Sequence, residues 1–326
     1  MAEAKELLLW GEQQEKPRMT SALDLLRLSV EDISGYTRPQ RERRVEELIE
    51  ESNALLSEAL EIESSKRVAG IVGLFSGGND STVLCHLMLA RITHLAHANT
   101  TIGIEQTREY VRQTSQAWGR QLLEFKPPRE EDWYRSLVLS HGFPGPGHHY
   151  KMFQRLKDRG IQEVRRTLVK KPREERVFYL AGRRRMESKR RANVVEFERI
   201  GSAVWVSPLV NWTKLDMNTY RLMAGDVPTN QVSDLLHMSG ECLCGSFAHP
   251  GELEEIEQWF PDVVAEIKSL EAEIADRSDI AKERKRWGWG SGQKPSPDQK
   301  SGQMCSSCDF RWFQEDMFED ITEAIS

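Results

Sequence analysis

The sequence predicts an α/β fold, a parallel Rossmann-like sheet with N-terminal helices before it and a helical, cysteine-containing extension after it. Three observations carry this. Strand-length apolar runs alternate with helical stretches from Val68 onward, one of those strands empties directly into a Gly-rich turn, and helical periodicity dominates the first sixty residues.

In order along the chain, Leu23, Leu26 and Val30 share one helical face before Gly35. Val45, Leu48, Ile49, Leu55, Leu56 and Leu60 share a second, so Met19 to Glu63 reads as two helices. Strands follow at 68–75, 94–98 and 121–125, with helices at 80–91, 104–118 and 131–140 between and after them. The Gly-Pro-rich turn from Gly142 to Gly147 interrupts the alternation, and a helical stretch runs from His148 to Val169. Strands at 176–181 and 203–207 return to the sheet, and a long charged helix is expected from Pro250 to about Arg286. The resulting division is a helical region at 1–66, an α/β domain at 67–249 and a C-terminal helix, linker and tail at 250–326.

Composition narrows the class. A chain of 326 residues at 39% hydrophobic can bury one full α/β core with an appended region. No apolar stretch is long enough to span a bilayer and Met1 to Pro17 is too polar for a signal peptide, so a cytoplasmic protein with no membrane partner is expected. The net charge of −6 is uneven, with fifteen Lys or Arg against five acidic residues between Arg155 and Arg191. Such an excess calls for an anionic partner, with DNA or tRNA the candidates beyond a nucleotide.

The apolar run Val72-Gly73-Leu74-Phe75 leads into Ser76-Gly77-Gly78-Asn79-Asp80-Ser81 and then a helix. Successive glycines let the backbone turn its amides inward, and the helix offers unpaired amides and its positive dipole end, so the turn is built to hold phosphate. Ser76 and Ser81 add hydroxyls, and Asp80 can cap the helix or hold a phosphate-bound Mg²⁺. No lysine follows the glycines, so this is not the Gly-Lys-Ser/Thr nucleotide loop.

The loop resembles the PP-loop of the adenine nucleotide alpha hydrolase-like ATP pyrophosphatases, and the chain from about Val68 to Phe247 resembles the phosphoadenosine phosphosulfate reductase family within them. Ala98-Asn99-Thr100-Thr101 through Glu109 is similar to that family's Asp-Thr-Gly and Pro-Glu-Thr segment. Gly182-Arg183-Arg184-Arg185-Met186-Glu187-Ser188 through Arg191 is similar to its Gly-x-Arg-x-x-Glu-Ser-x-x-Arg motif. Pro208 to Thr213 resembles its Pro-Ile-x-x-Trp-Thr segment, and Pro228-Thr229-Asn230 leading to Cys242 and Cys244 resembles its Leu-Pro-x-Asn before Gly-Cys-x-x-Cys.

The resemblance implies adenine-nucleotide binding by Ser76, Gly77, Gly78, Asn79, Asp80, Ser81, Thr100, Gly182, Arg184, Glu187 and Arg191, with Asp80, Arg184 and Arg191 catalytic. Guanidinium groups at 184 and 191 suit bidentate contact with phosphate or sulfate, Glu187 would orient one of them, and Trp212 reads as core. Asn99 and Thr101 stand where the family has an acid and a glycine, which implies different nucleoside recognition.

The family's C-terminal Glu-Cys-Gly-Leu-His motif is absent, since the chain carries Cys308-Asp309-Phe310-Arg311 instead. An adjacent cysteine pair expected near His148 and His149 is missing too, and those histidines, near Lys157, read as a solvated pair in an exposed loop, with phosphate contact or acid–base work as the alternative. Cys242 and Cys244 are matched with Cys305 and Cys308 across sixty residues, four thiolates suited to a [4Fe-4S] cluster or to Zn²⁺. Cys85 then remains as a core thiol.

Together these imply an ATP- and Mg²⁺-dependent pyrophosphatase that adenylates a substrate, nucleic acid for preference, for sulfur incorporation, with a sulfur donor such as a cysteine desulfurase as partner. A sulfonucleotide reductase releasing sulfite and a nucleotide-binding subunit without turnover are the alternatives.

Overall fold

The computed structural model describes residues 28, 30–187 and 191–291; Ser188, Cys305 and Cys308 lie outside them. A six-stranded sheet organises the chain: β1 (Arg67–Leu74), β2 (His94–Ala98), β3 (Gln121–Phe125), β4 (Glu175–Leu180), β5 (Phe197–Ile200) and β6 (Ala203–Val206). Their order is β3-β2-β1-β4-β6-β5, parallel throughout except for β5, which pairs antiparallel with β6 at the edge. The switch point lies at β1, the first strand, whose two neighbours β2 and β4 carry the chain to opposite sides. In such sheets the crevice outside the carboxyl ends at that point receives ligands.

The central strands are apolar on both faces because helices cover both. Val72 and Tyr179 belong to one apolar cluster, whereas Ile71, Phe178 and Val204 belong to another. A short helix, α1 (Val30–Ser34), precedes the longer α2 (Arg38–Ile62), which joins the second cluster through Val45, Leu48 and Leu56. Helix α3 (Asn79–Leu87) packs there through Val83, Leu84 and Cys85, and Gly73 of β1 is small because a Cβ would come within 2.9 Å of the Cys85 sulfur. Cys85 is fully buried, and Trp212 is buried with its indole donating to Ser52 Oγ at 3.0 Å, so both are core residues.

Helix α4 (Glu105–Ala117) follows β2 and α5 (Tyr134–His141) follows β3. The expected helix from His148 to Val169 is α6 (His149–Phe153), a π-helical turn (Gln154–Asp158) and α7 (Arg159–Leu168). Arg155 and Arg159, one on the π turn and one just after it, both reach the buried carboxylate of Asp132. His149 corrects the expectation of an exposed pair: it is buried, its ring 4.7 Å from that of Phe247.

Helices α8 (Lys214–Ala224) and α9 (Gln231–Leu236) lead to the segment carrying Cys242 and Cys244. The expected long helix after Pro250 is two, α10 (Glu252–Trp259) and α11 (Pro261–Ile274), because Pro261 cannot supply the amide that would continue the first. Both pack into a third apolar cluster with Ile102, Ile104, Tyr134, Leu243 and Trp287. No helix among the described residues is long and apolar enough to cross a membrane.

Candidate nucleotide site

A cleft opens at the carboxyl ends of β1 to β4. Leu74, Ala96, Ala98, Phe125 and Ala181 give it an apolar floor, while Ser76, Asp80, Arg184, Arg191, Lys157 and Lys214 supply polar and charged groups.

The Gly-rich turn is held by its own hydroxyls. Ser81 Oγ donates to the Gly78 carbonyl at 2.9 Å and accepts from the Ser76 amide at 3.2 Å, and the two serine hydroxyls lie 3.0 Å apart. Gly77 takes φ +77°, where a Cβ would also stand 2.8 Å from Thr107 Cγ2. Its carbonyl accepts from Asn230 Nδ2 at 2.9 Å and Ser233 Oγ at 3.2 Å, which gives the Pro228-Thr229-Asn230 motif its place. The first amides of α3 have no acceptor within the helix and meet the cleft at Asn79, Asp80 and Ser81.

Gly182 follows β4 and lets that strand end approach α3, since a Cβ there would lie 3.3 Å from the Asp80 main chain. This closeness brings Arg184 onto Asp80: Nε and Nη2 each reach Oδ2 at 2.8 Å. The N-cap of α3 is Gly78 and makes no side-chain capping bond, so Asp80 acts as the arginine's partner and not as a cap. Burial lowers the proton affinity of Arg184, but Asp80 and Glu187 outweigh it and raise the guanidinium above its ordinary range. Arg191 pairs with Glu187 at 3.3 Å, and both are buried.

Two of the expected nucleotide residues stand back from the cleft. Thr100 is fully buried, its amide donating to Glu241 Oε1 at 2.8 Å, and Gly77 supports the loop from behind. Asn99 turns to Glu124, at 3.0 Å, and to the Thr101 amide, at 3.1 Å.

Lys214 and Glu241 were not legible as site residues. Lys214 Nζ stands 4.0 Å from Asp80 Oδ1 and lines the cleft half-exposed. Burial, with Arg184 and Arg221 nearby, lowers its ammonium below the ordinary lysine range against the opposing pull of Asp80. Thr213 fixes its position by capping α8, accepting from the Asp216 amide at 3.2 Å. A Thr-x-x-Asp run before an apolar helix was the available signal, but it marks a cap and not a ligand.

Basic residues 155–191 are largely paired, mostly with carboxylates from outside the segment. Arg176 holds Glu63, Arg183 holds Glu198, Arg185 holds Glu196, and Arg155 and Arg159 share Asp132. Arg165, Lys170 and Arg173 make no ion pair among the described residues.

Cys242 and Cys244 lie in the loop after α9, with Cys244 buried and Cys242 half-buried. A hydrogen bond to Cys242 and burial push the Cys244 thiol well up. Trp287 Nε1 donates to the Leu243 carbonyl at 2.8 Å, tying the chain that leads toward the tail to this loop. Among the described residues no group of three or more His, Cys, Asp or Glu is arranged around a metal position.

Residues 70–235 match the model of the phosphoadenosine phosphosulfate reductase domain. An adenosine 5'-phosphosulfate reductase of Chelativorans sp. (strain BNC1) is 26% identical over 194 residues, 58% of this chain and 74% of that protein. Among solved structures, the phosphoadenylyl-sulfate reductase of Candida auris in its phosphate complex aligns at 18% identity and TM-score 0.41, covering 62% of this chain and 93% of that one. The FMN adenylyltransferase of Candida glabrata with FAD and inorganic pyrophosphate aligns at 12% identity and TM-score 0.43, covering 65% of each. With residues 70–235, half of its length, matched to that model, the chain belongs to the phosphoadenosine phosphosulfate reductase domain family.

Proposed function

We propose that the cleft binds an adenine nucleotide with its phosphates on the Ser76–Ser81 loop, and that the enzyme splits ATP between the α and β phosphates to adenylate its substrate. The observation that carries this is the convergence of loop amides, two hydroxyls and the Asp80–Arg184–Lys214 cluster on one wall, with no cysteine among the described residues lining the cleft. A substrate oxygen attacks the α-phosphorus, the bond to the bridging oxygen of the β-phosphate breaks, pyrophosphate leaves, and the substrate proton goes to solvent. Loop amides and Ser76 hold the pyrophosphate, while Arg184, Arg191 and Lys214 neutralise charge developing at the α-phosphate. Asp80 Oδ1 is the carboxylate oxygen available to Mg²⁺ carried by the nucleotide, which would add Lewis-acid stabilisation of the same charge.

The acceptor is proposed as nucleic acid, supported by Arg165, Lys170 and Arg173, a smaller basic surface than the sequence count implied. Cys242 and Cys244, two free thiols two residues apart in one loop, would supply the first half of a metal centre, as thiolates suit such an ion. Cys305 and Cys308 would supply the second half, and the centre, iron-sulfur or zinc, would organise sulfur delivered by a donor such as a cysteine desulfurase.

A second reading, reduction of a sulfonucleotide to sulfite, is favoured by the Chelativorans relative. Anaerobically purified protein with its metal quantified separates the two. Pyrophosphate from ATP in the presence of acceptor nucleic acid, without sulfite from adenosine phosphosulfate and a dithiol, is the expected result. Sulfite at catalytic turnover would overturn the adenylation reading.

A further inference from the structure

A buried hydrogen-bonded path joins the phosphate loop to the cysteine pair. It starts at Phe75, immediately before Ser76, whose carbonyl accepts from His97 Nδ1 at 2.8 Å. The other ring nitrogen, Nε2, lies 3.2 Å from Glu241 Oε2. His97 therefore bridges the Phe75 carbonyl and the Glu241 carboxylate with one ring nitrogen on each. Glu241 is followed directly by Cys242.

Glu241 is itself buried and fixed from several sides. Its Oε1 accepts the Thr100 amide at 2.8 Å, and Arg108 Nε stands 3.4 Å from Oε2. The main chain around it is zipped to the loop after β2: the Ile104 amide donates to the Gly240 carbonyl, and the Leu243 amide to the Ile102 carbonyl, both at 2.9 Å. Thr100 Oγ1 donates to the Glu241 carbonyl, and a Cβ at Gly103 would meet that oxygen at 2.5 Å. Farther upstream, Asn230 and Ser233 hold the Gly77 carbonyl of the phosphate loop. The segment bearing the cysteines is thus wired to the phosphate loop both through His97 and through α9.

We propose that Glu241 is a positioning residue that transmits occupancy of the cleft to the Cys242–Cys244 loop. A nucleotide that orders the phosphate loop fixes the Phe75 carbonyl and with it His97. Among the described residues the Glu241 carboxylate carries the contact from that ring to the cysteine loop, so the loop is ordered in turn. By reciprocity, the state of the cysteines changes nucleotide affinity by the same factor. The inference rests on the nucleotide reading above only in using ATP as its probe.

Hydrogen exchange at Leu243, read from peptides spanning 240–245 with and without saturating ATP, tests it, with calorimetric titration of the same metal-quantified samples. Glu241→Gln keeps an acceptor for the Thr100 amide but removes the charge facing His97 and Arg108. In the wild type ATP is expected to slow exchange at Leu243 about fivefold or more. In Glu241→Gln that slowing is expected to shrink to the part carried through α9, while the Kd for ATP rises. Equal slowing in both proteins would overturn the proposal. If the variant fails to fold, the wild type decides alone, since unchanged exchange at saturation overturns the proposal and leaves ATP binding standing. Absence of ATP binding by calorimetry would overturn the ATP adenylation reading and this proposal with it.

Discussion

Two arginine–aspartate pairs in this molecule use the same chemistry to opposite ends. Arg44 on α2 grips Asp216 on α8 with Nε on Oδ1 at 2.9 Å and Nη2 on Oδ2 at 3.2 Å, and both side chains are at most 2% exposed. Asp216 also accepts from the Thr213 amide at 2.8 Å, capping its own helix, so both of its oxygens are committed within the fold. Arg184 places both of its donors on a single oxygen of Asp80, which is 25% exposed. The other oxygen faces Lys214 and the cleft. The first pair is a closed clamp, and the second is an open one that can exchange partners with an incoming anion.

If that distinction holds, Arg44→Ala should cost the most stability, about 3–5 kcal/mol, because it strands a carboxylate in the core. Thermal or denaturant unfolding measures it, and nucleotide affinity of the protein that remains folded should be unchanged. Arg184→Ala should invert the pattern, lowering kcat by about 10²–10³-fold with a smaller loss of stability. A large fall in Tm with kcat preserved would make Asp80–Arg184 a second structural clamp and break the comparison.

Lys214→Ala should weaken ATP binding by about tenfold, the scale of one charge-assisted contact, with little effect on Tm. The smallest effect is in pH. Lys214 is charged below its lowered pKa, so ATP affinity should decline as pH rises while ordinary lysines are still protonated. Lys214→Arg should bind with an affinity flat over that range, and an identical decline in both proteins would assign it elsewhere.

Much of this was legible locally. The strand at 67–74, the turn and the helix from Asn79 form within fifteen residues, so glycine spacing and apolar runs announce them. Helix boundaries near Phe260 were missed because Pro261 was read inside a charged periodic pattern instead of as its break. The antiparallel edge strand at 197–200 escaped because Phe197-Glu198-Arg199-Ile200 carries no alternation long enough to show.

Pairings between distant site residues were illegible for a physical reason, even where the residues themselves, Asp80 and Arg184, were legible. Glu241 meets His97 across 144 residues and Arg184 meets Asp80 across 104, pairings that only the sheet order creates. The basic segment misled for the same reason, since Glu63, Asp132, Glu196 and Glu198, which neutralise it, lie outside the window counted.

Calorimetric titration of the wild type and Arg184→Ala with ATP and with adenosine phosphosulfate tests the central claim most directly. One saturable site for at least one of the two nucleotides, weakened tenfold or more in the variant, is the result this account predicts. Failure of both nucleotides to saturate the wild type, or equal affinity in the two proteins, would contradict it.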